Sequence, residues 1–176
     1  MKHTLKNTFW YGFNITALAL IAGFIVLTPF VYGFEQLSKT VDVYLTPTVN
    51  TATADSFVFT VDITNASSTP LNAAEFELIF NPKEISLIKI VPERTLCEDQ
   101  FLITNTVDNQ SGTALFQCGT LAPFTAATGT IATVYAHILT TNTVNIRFGT
   151  TTHILAHDGY GTDVTRSTQT ALISSF

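Results

Sequence analysis

Few side chains in this sequence combine a reactive type with a useful spacing. Glu75 and Glu77 flank Phe76, so on an extended backbone of period two their carboxylates project from one face. A close carboxylate pair can run acid–base chemistry on a glycosidic bond, but on an exposed strand the same pair is a solvated face, and the alternation favours that reading. His153, His157 and Asp158 offer metal ligands or a His–Asp relay. They run straight into Asp158-Gly159-Tyr160-Gly161, the composition of a solvated turn. Residues 158–163 are oxygen-rich but lack the acidic spacing of a calcium-binding EF-hand loop. His137 falls inside an apolar-alternating run, as a surface or half-buried partner for a hydroxyl. No GxSxG, phosphate loop or HExxH occurs. These residues predict no enzyme, no cofactor and no metal. Two sequons, Asn65-Ala66-Ser67 and Asn109-Gln110-Ser111, matter only in a host that glycosylates asparagine.

The elements that carry these residues divide by charge. The chain has 176 residues and a formal net charge of −5, an acidic balance that argues against a nucleic-acid partner. No Asp, Glu, Lys or Arg lies between Lys6 and Glu35, a gap of 28 residues, where about 20 suffice to span a bilayer. Its centre, Ile15 to Val31, reads ITALALIAGFIVLTPFV, with Trp10, Tyr11 and Phe13 at one end and Tyr32 and Phe34 at the other. Amphipathic rings favour the membrane boundary. Lys2, His3 and Lys6 precede the segment, and 6 basic against 13 acidic residues follow it. The positive-inside rule then places residues 1–12 in the cytoplasm, 13–34 across the membrane as one N-terminal transmembrane helix, and 35–176 outside.

A cleavable signal peptide competes with this reading, since Val31-Tyr32-Gly33 has residues a signal peptidase tolerates. Its apolar region, however, usually runs only about 7–15 residues. Cleavage would make the domain secreted rather than cell-surface. A pilin leader cut at Gly12-Phe13 would carry Glu at the fifth position after the cut, where this sequence has Ala17. No cysteine stands in a lipobox position.

Beyond Glu35 the texture is that of strands. Threonine occurs 31 times in the chain, and β-branched residues favour pleated surfaces. Val41, Val43 and Leu45 share one face, as do Phe57, Phe59, Val61 and Ile63, then Ala74, Phe76, Leu78 and Phe80. Ile85, Leu87 and Val91 follow, then Phe101 and Ile103, a turn at Asp108–Gly112, and Ala114, Phe116 and Cys118. Ile131–Leu139 and Val144–Phe148 read as strands, with short ones near Ile154 and Leu172. Such spacing predicts an all-β sandwich of eight or nine strands, with no amphipathic helix outside the apolar segment.

The order of these elements resembles the cohesin family. The matching stretches are Asp55–Val61, then LNAAEFELIFNP from Leu71 leading into Glu84-Ile85-Ser86-Leu87, DNQSGTALFQCG, Gly129–Val134, TVNIRFG, and HILAHDGYGTDV. Together they cover residues 39–174. The resemblance implies a jelly-roll β-sandwich of about nine strands in the carbohydrate-binding superfamily. It also implies a non-catalytic role: holding a dockerin-like protein, or adhering to the cell surface, in proteins tied to polysaccharide breakdown.

Cys97 precedes the strand of Phe101, and Cys118 ends the strand of Phe116. A hairpin turning near Asn109 would bring them together at one end, and an exported compartment permits a disulfide; two buried free thiols are the alternative. Two further functions stand beside protein binding. Direct binding of surface polysaccharide would use exposed aromatics, for which Tyr44, Tyr135 and Tyr160 are the candidate contacts, since the only Trp is Trp10. A pilin-like filament subunit would pack the apolar helix in a fibre core.

Overall fold

Period-two alternation from Val41 onward builds strands in the computed structural model, which describes residues 38–173 apart from 49–55, 95, 98–100 and 141–142. The basic N-terminus and the apolar segment 13–34 lie outside the described residues. Eleven strands follow in order: β1 (Val41–Pro47), β2 (Ser56–Asn65), β3 (Leu71–Phe80), β4 (Ile85–Pro92), β5 (Leu102–Asp108), β6 (Thr113–Phe124), β7 (Thr128–Ile138), β8 (Val144–Phe148), β9 (His153–Ala156), β10 (Thr165–Gln169) and β11 (Ala171–Ile173). They form two sheets. The first has the order β10-β1-β2-β7-β4, and the second β11-β8-β3-β6-β5, with β9 also on β3. All pairings are antiparallel except β1 with β10.

The two inner faces make one core. Val41, Val43, Phe59, Val61 and Ile63 from the first sheet meet Phe76, Leu78, Phe116, Ile146 and Ile154 from the second, all fully buried. Phe76 and Phe116 are direct cross-strand partners with stacked rings 4.9 Å apart, which adds a specific aromatic contribution to the area they bury. Cys97 and Cys118 form a disulfide with Cα atoms 5.3 Å apart, tying the segment before β5 to the inner face of β6.

Among the described residues the strands number eleven where eight or nine are expected, and part of the excess is one of three short strands in a C-terminal stretch where two are legible. β10 reads TRSTQ, with only its first residue buried, and no apolar alternation marks it. Two inward assignments also change. A register shift between Leu87 and Lys89 inserts an extra residue into β4, so Ile90 turns into the core and Val91 outward. Ile103 is 73% exposed, because β5 is a sheet edge that begins at Leu102 with its own register shift.

Turn chemistry fixes the β5–β6 hairpin. The Asp108 carboxylate accepts the Gln110 and Ser111 N–H groups, and Gly112 closes the turn at φ 72°. A Cβ there would collide with the Phe80 carbonyl, so only glycine fits.

Candidate functional site

Outward-facing residues of the second sheet form a regular grid because β3, β6 and β5 run in register. One row is Glu75–Gln117–Thr104, the next Glu77–Leu115–Thr106, the third Ile79–Thr113–Asp108. Between them lies a groove of about 290 Å³, walled at one side by Thr151. The face is mixed: Ile79 and Leu115 are half-buried apolar residues among carboxylates and hydroxyls. It presents apolar area and hydrogen-bonding groups side by side.

The expected pair Glu75 and Glu77 does share this face, yet the two differ in environment. The Glu77 Oε2 accepts a hydrogen bond from the Thr151 hydroxyl at 3.1 Å. Its own N–H donates to the Thr152 hydroxyl at 3.3 Å, and its carbonyl accepts from the Gly149 N–H at 2.8 Å. Glu77 thereby holds the link between β8 and β9. Asp108 is held low in pKa by the Ser111 hydroxyl and then by the Gln110 and Ser111 N–H groups, so it serves the turn. Thr104 donates to Gln117 at 2.8 Å.

His153 and His157 do not form a site together. His153 lies in β9, directly opposite Glu75, and its Nδ1 stands 3.3 Å from Asp163. His157 follows the strand, exposed, with its N–H on the Pro70 carbonyl. Asp163 also meets Lys39 at 3.0 Å. Burial raises its pKa most strongly, yet Thr165, Lys39 and His153 outweigh that and hold it down at about 2. The Asp158 carboxyl is lowered by the Thr162 hydroxyl and then the Tyr160 N–H, a turn rather than a ligand shell. Among the described residues no three His, Cys, Asp or Glu side chains converge on a metal position.

The candidate aromatic contacts are dispersed. Tyr44 and Tyr135 face outward from the first sheet with β2 between their strands, and Lys89 covers one side of the Tyr135 ring at 4.5 Å. Tyr160 is 86% exposed on the turn after β9, between Gly159 and Gly161, both at positive φ. Elsewhere on the first sheet's outer face the polar groups satisfy one another. Asp62 accepts from Thr60 and Thr130, both at 2.7 Å, Glu93 accepts from Thr133 at 2.8 Å, and Asp42 pairs with Arg166 and Ser167.

Both sequon asparagines have their side-chain amides engaged. Asn65 is buried, with its amide donating to the Thr69 carbonyl and accepting from the Thr69 N–H. Asn109 is bonded in the same double manner to Leu87.

No family model matches the chain, and no curated protein matches it in sequence. Solved structures do match, and those compared are cohesins. The seventh ScaB type I cohesin from Pseudobacteroides cellulosolvens aligns with a TM-score of 0.63 at 13% identity, over 76% of this chain and 90% of that one. The third ScaC cohesin of Acetivibrio cellulolyticus, solved in complex with the ScaB dockerin, gives 0.62 at 14% identity, over 77% and 99%. A type II cohesin domain from the cellulosome of the same organism gives 0.57 at 18%, over 76% and 95%. The described domain has the cohesin fold.

Proposed function

We propose that this chain is a non-catalytic binding module that holds a dockerin-type protein on the outer face of the β8-β3-β6-β5 sheet, displayed outside the cell by its N-terminal apolar segment. The observation that carries the reading is the groove of that face, with Leu115 set among polar groups and Ile79 beside it on the same face, on a fold whose relatives include cohesins solved with dockerins. The first sheet's outer face, whose carboxylates are already bonded, offers a partner less. The display outside the cell is supported by the 28 uncharged residues between Lys6 and Glu35 with basic residues ahead of them.

The test is direct binding. The full-length chain, reconstituted in nanodiscs, is probed by interferometry with a panel of purified dockerins, the ScaB dockerin of Acetivibrio cellulolyticus among them, and in parallel on a glycan array. Saturable binding of one dockerin or more is expected. Glycan binding with no dockerin bound would overturn the reading in favour of a sugar-binding module using Tyr44, Tyr135 or Tyr160. A protease-accessibility assay on intact cells checks the topology, with residues 35–176 cleaved from outside.

A further inference from the structure

We infer that Glu75 is the residue by which the groove selects its partner, through a Lys or Arg side chain that the partner presents to it. This rests on the reading that the groove docks a protein.

Three carboxylates line the groove, and two are already used by the fold. Asp108 spends its oxygens on the Gln110 and Ser111 N–H groups and the Ser111 hydroxyl. Glu77 lies across Gly149, where a Cβ would meet its carboxylate, and takes the Thr151 hydroxyl. Glu75 differs from both. Among the described residues no basic group pairs with it and no donor reaches it. Its row neighbour Gln117 is oriented by the Thr104 hydroxyl, which donates to its Oε1, and its amide N–H groups make no bond to Glu75. Its neighbour on the other side, His153, turns its Nδ1 toward Asp163.

Glu75 is half-buried already, and a docked partner would remove more of its water. A carboxylate buried at an interface without a counter-charge is strongly unfavourable, whereas one that meets a cation forms a charge-assisted hydrogen bond. The same group therefore rewards a basic side chain and penalises an acidic or apolar one, which is how an interface discriminates among similar partners. Glu77 and Asp108 already accept hydrogen bonds from the Thr151 hydroxyl and from the β5–β6 turn, so their carboxylates are held in place by the fold, whereas among the described residues Glu75 has all its acceptor sites free for a partner.

The experiment compares full-length wild type with Glu75→Lys, Glu75→Gln and Glu77→Gln against each dockerin that wild type binds, with affinity measured across salt concentrations and melting temperature recorded for each variant. Glu75→Lys is expected to weaken binding about tenfold or more with the melting temperature unchanged. Glu75→Gln is expected to flatten the salt dependence of binding. Glu77→Gln is expected to lower the melting temperature. Reversal of one basic residue on the dockerin should restore affinity for Glu75→Lys. If wild type binds a dockerin and both Glu75 variants bind it with unchanged affinity and salt dependence, the inference is wrong and the docking reading stands. If wild type binds no dockerin of the panel, the docking reading fails and takes the inference with it.

Discussion

The Asn109 side chain pairs with the backbone of Leu87 as a neighbouring strand would: its Oδ1 accepts the Leu87 N–H at 2.9 Å and its Nδ2 donates to the Leu87 carbonyl at 2.9 Å. Asn105 adds a bond from its Nδ2 to the Ile90 carbonyl at 2.9 Å. Both asparagines come from the β5 side of the second sheet, and both serve the free edge of β4 in the first. Two side chains thus stitch the sandwich where its sheets end, and they cap an edge that would otherwise offer itself to another chain.

Asn109→Ala leaves both backbone groups of Leu87 unpaired at the seam. A net loss of about 1–3 kcal/mol is expected, read as a lower urea midpoint at unchanged slope. Asn109→Asp keeps the acceptor for the Leu87 N–H but sets a carboxylate oxygen against the Leu87 carbonyl, so at neutral pH its loss should be at least as large. Equal midpoints for wild type and Asn109→Ala would show that water replaces both bonds.

The Cys97–Cys118 disulfide closes a loop with a sequence separation of 21. On the chain-entropy relation its removal costs about 3 kcal/mol. Replacing both cysteines by Ala should lower the unfolding free energy by that amount, seen as a lower urea midpoint, and reductant should then have no effect on the double variant. Alkylation of the unreduced, denatured chain should label neither thiol.

Where the sequence is informative, the reason is local. The alternation of Phe57 to Ile63 and of Ala74 to Phe80 reports a sheet with one buried face, and the cysteines flank a hairpin whose turn is written in Asp108 to Gly112. What escapes is set by distant contacts. The extra residue near Ile88 reverses the faces of Ile90 and Val91 without any mark in composition. β10 exists only because β1 supplies a parallel edge for five mostly exposed residues. The pairing of Glu75 and Glu77 on one face is legible from their spacing. Their different roles are not, because the hydroxyl that claims Glu77 is Thr151, 74 residues away.

Gly149 makes room for that arrangement. Any Cβ at this position would overlap the Glu77 carboxylate, so Gly149→Ala forces the side chain off the link and breaks its bond to Thr151. A destabilisation of about 1–3 kcal/mol is expected, seen by thermal unfolding. The Glu77→Ala background should absorb most of that cost, a coupling that a double-mutant cycle measures directly.

Leu115 is the apolar centre of the groove, between Glu77 and Thr106 in register. If the face docks a protein, truncation to Ala removes contact area from the middle of the interface, where energetically important residues concentrate. Binding should weaken by about tenfold, a loss of roughly 1.4 kcal/mol, while the half-exposed position keeps the melting temperature within about 2 °C. Full-strength dockerin binding by Leu115→Ala would move the docking surface elsewhere.

Asp163 gives stability a defined acid limit. Its carboxyl is held at about 2, against an ordinary value of 3.8, although burial alone would raise it. The Thr165 hydroxyl and N–H, Lys39 and His153 all favour the charged form and prevail. A depressed folded-state value means the unfolded chain takes up the proton first, so the contribution is complete above about pH 4 and drains away as pH falls toward 2. Its size is at most about 2 kcal/mol. Asp163→Asn keeps an oxygen for the Thr165 N–H but gives up the charge that Lys39 and His153 meet. Wild type should therefore exceed this variant in unfolding free energy at pH 6, and the two curves should converge between pH 4 and pH 2. A constant gap across that range would assign the loss to packing rather than to the ionised carboxylate.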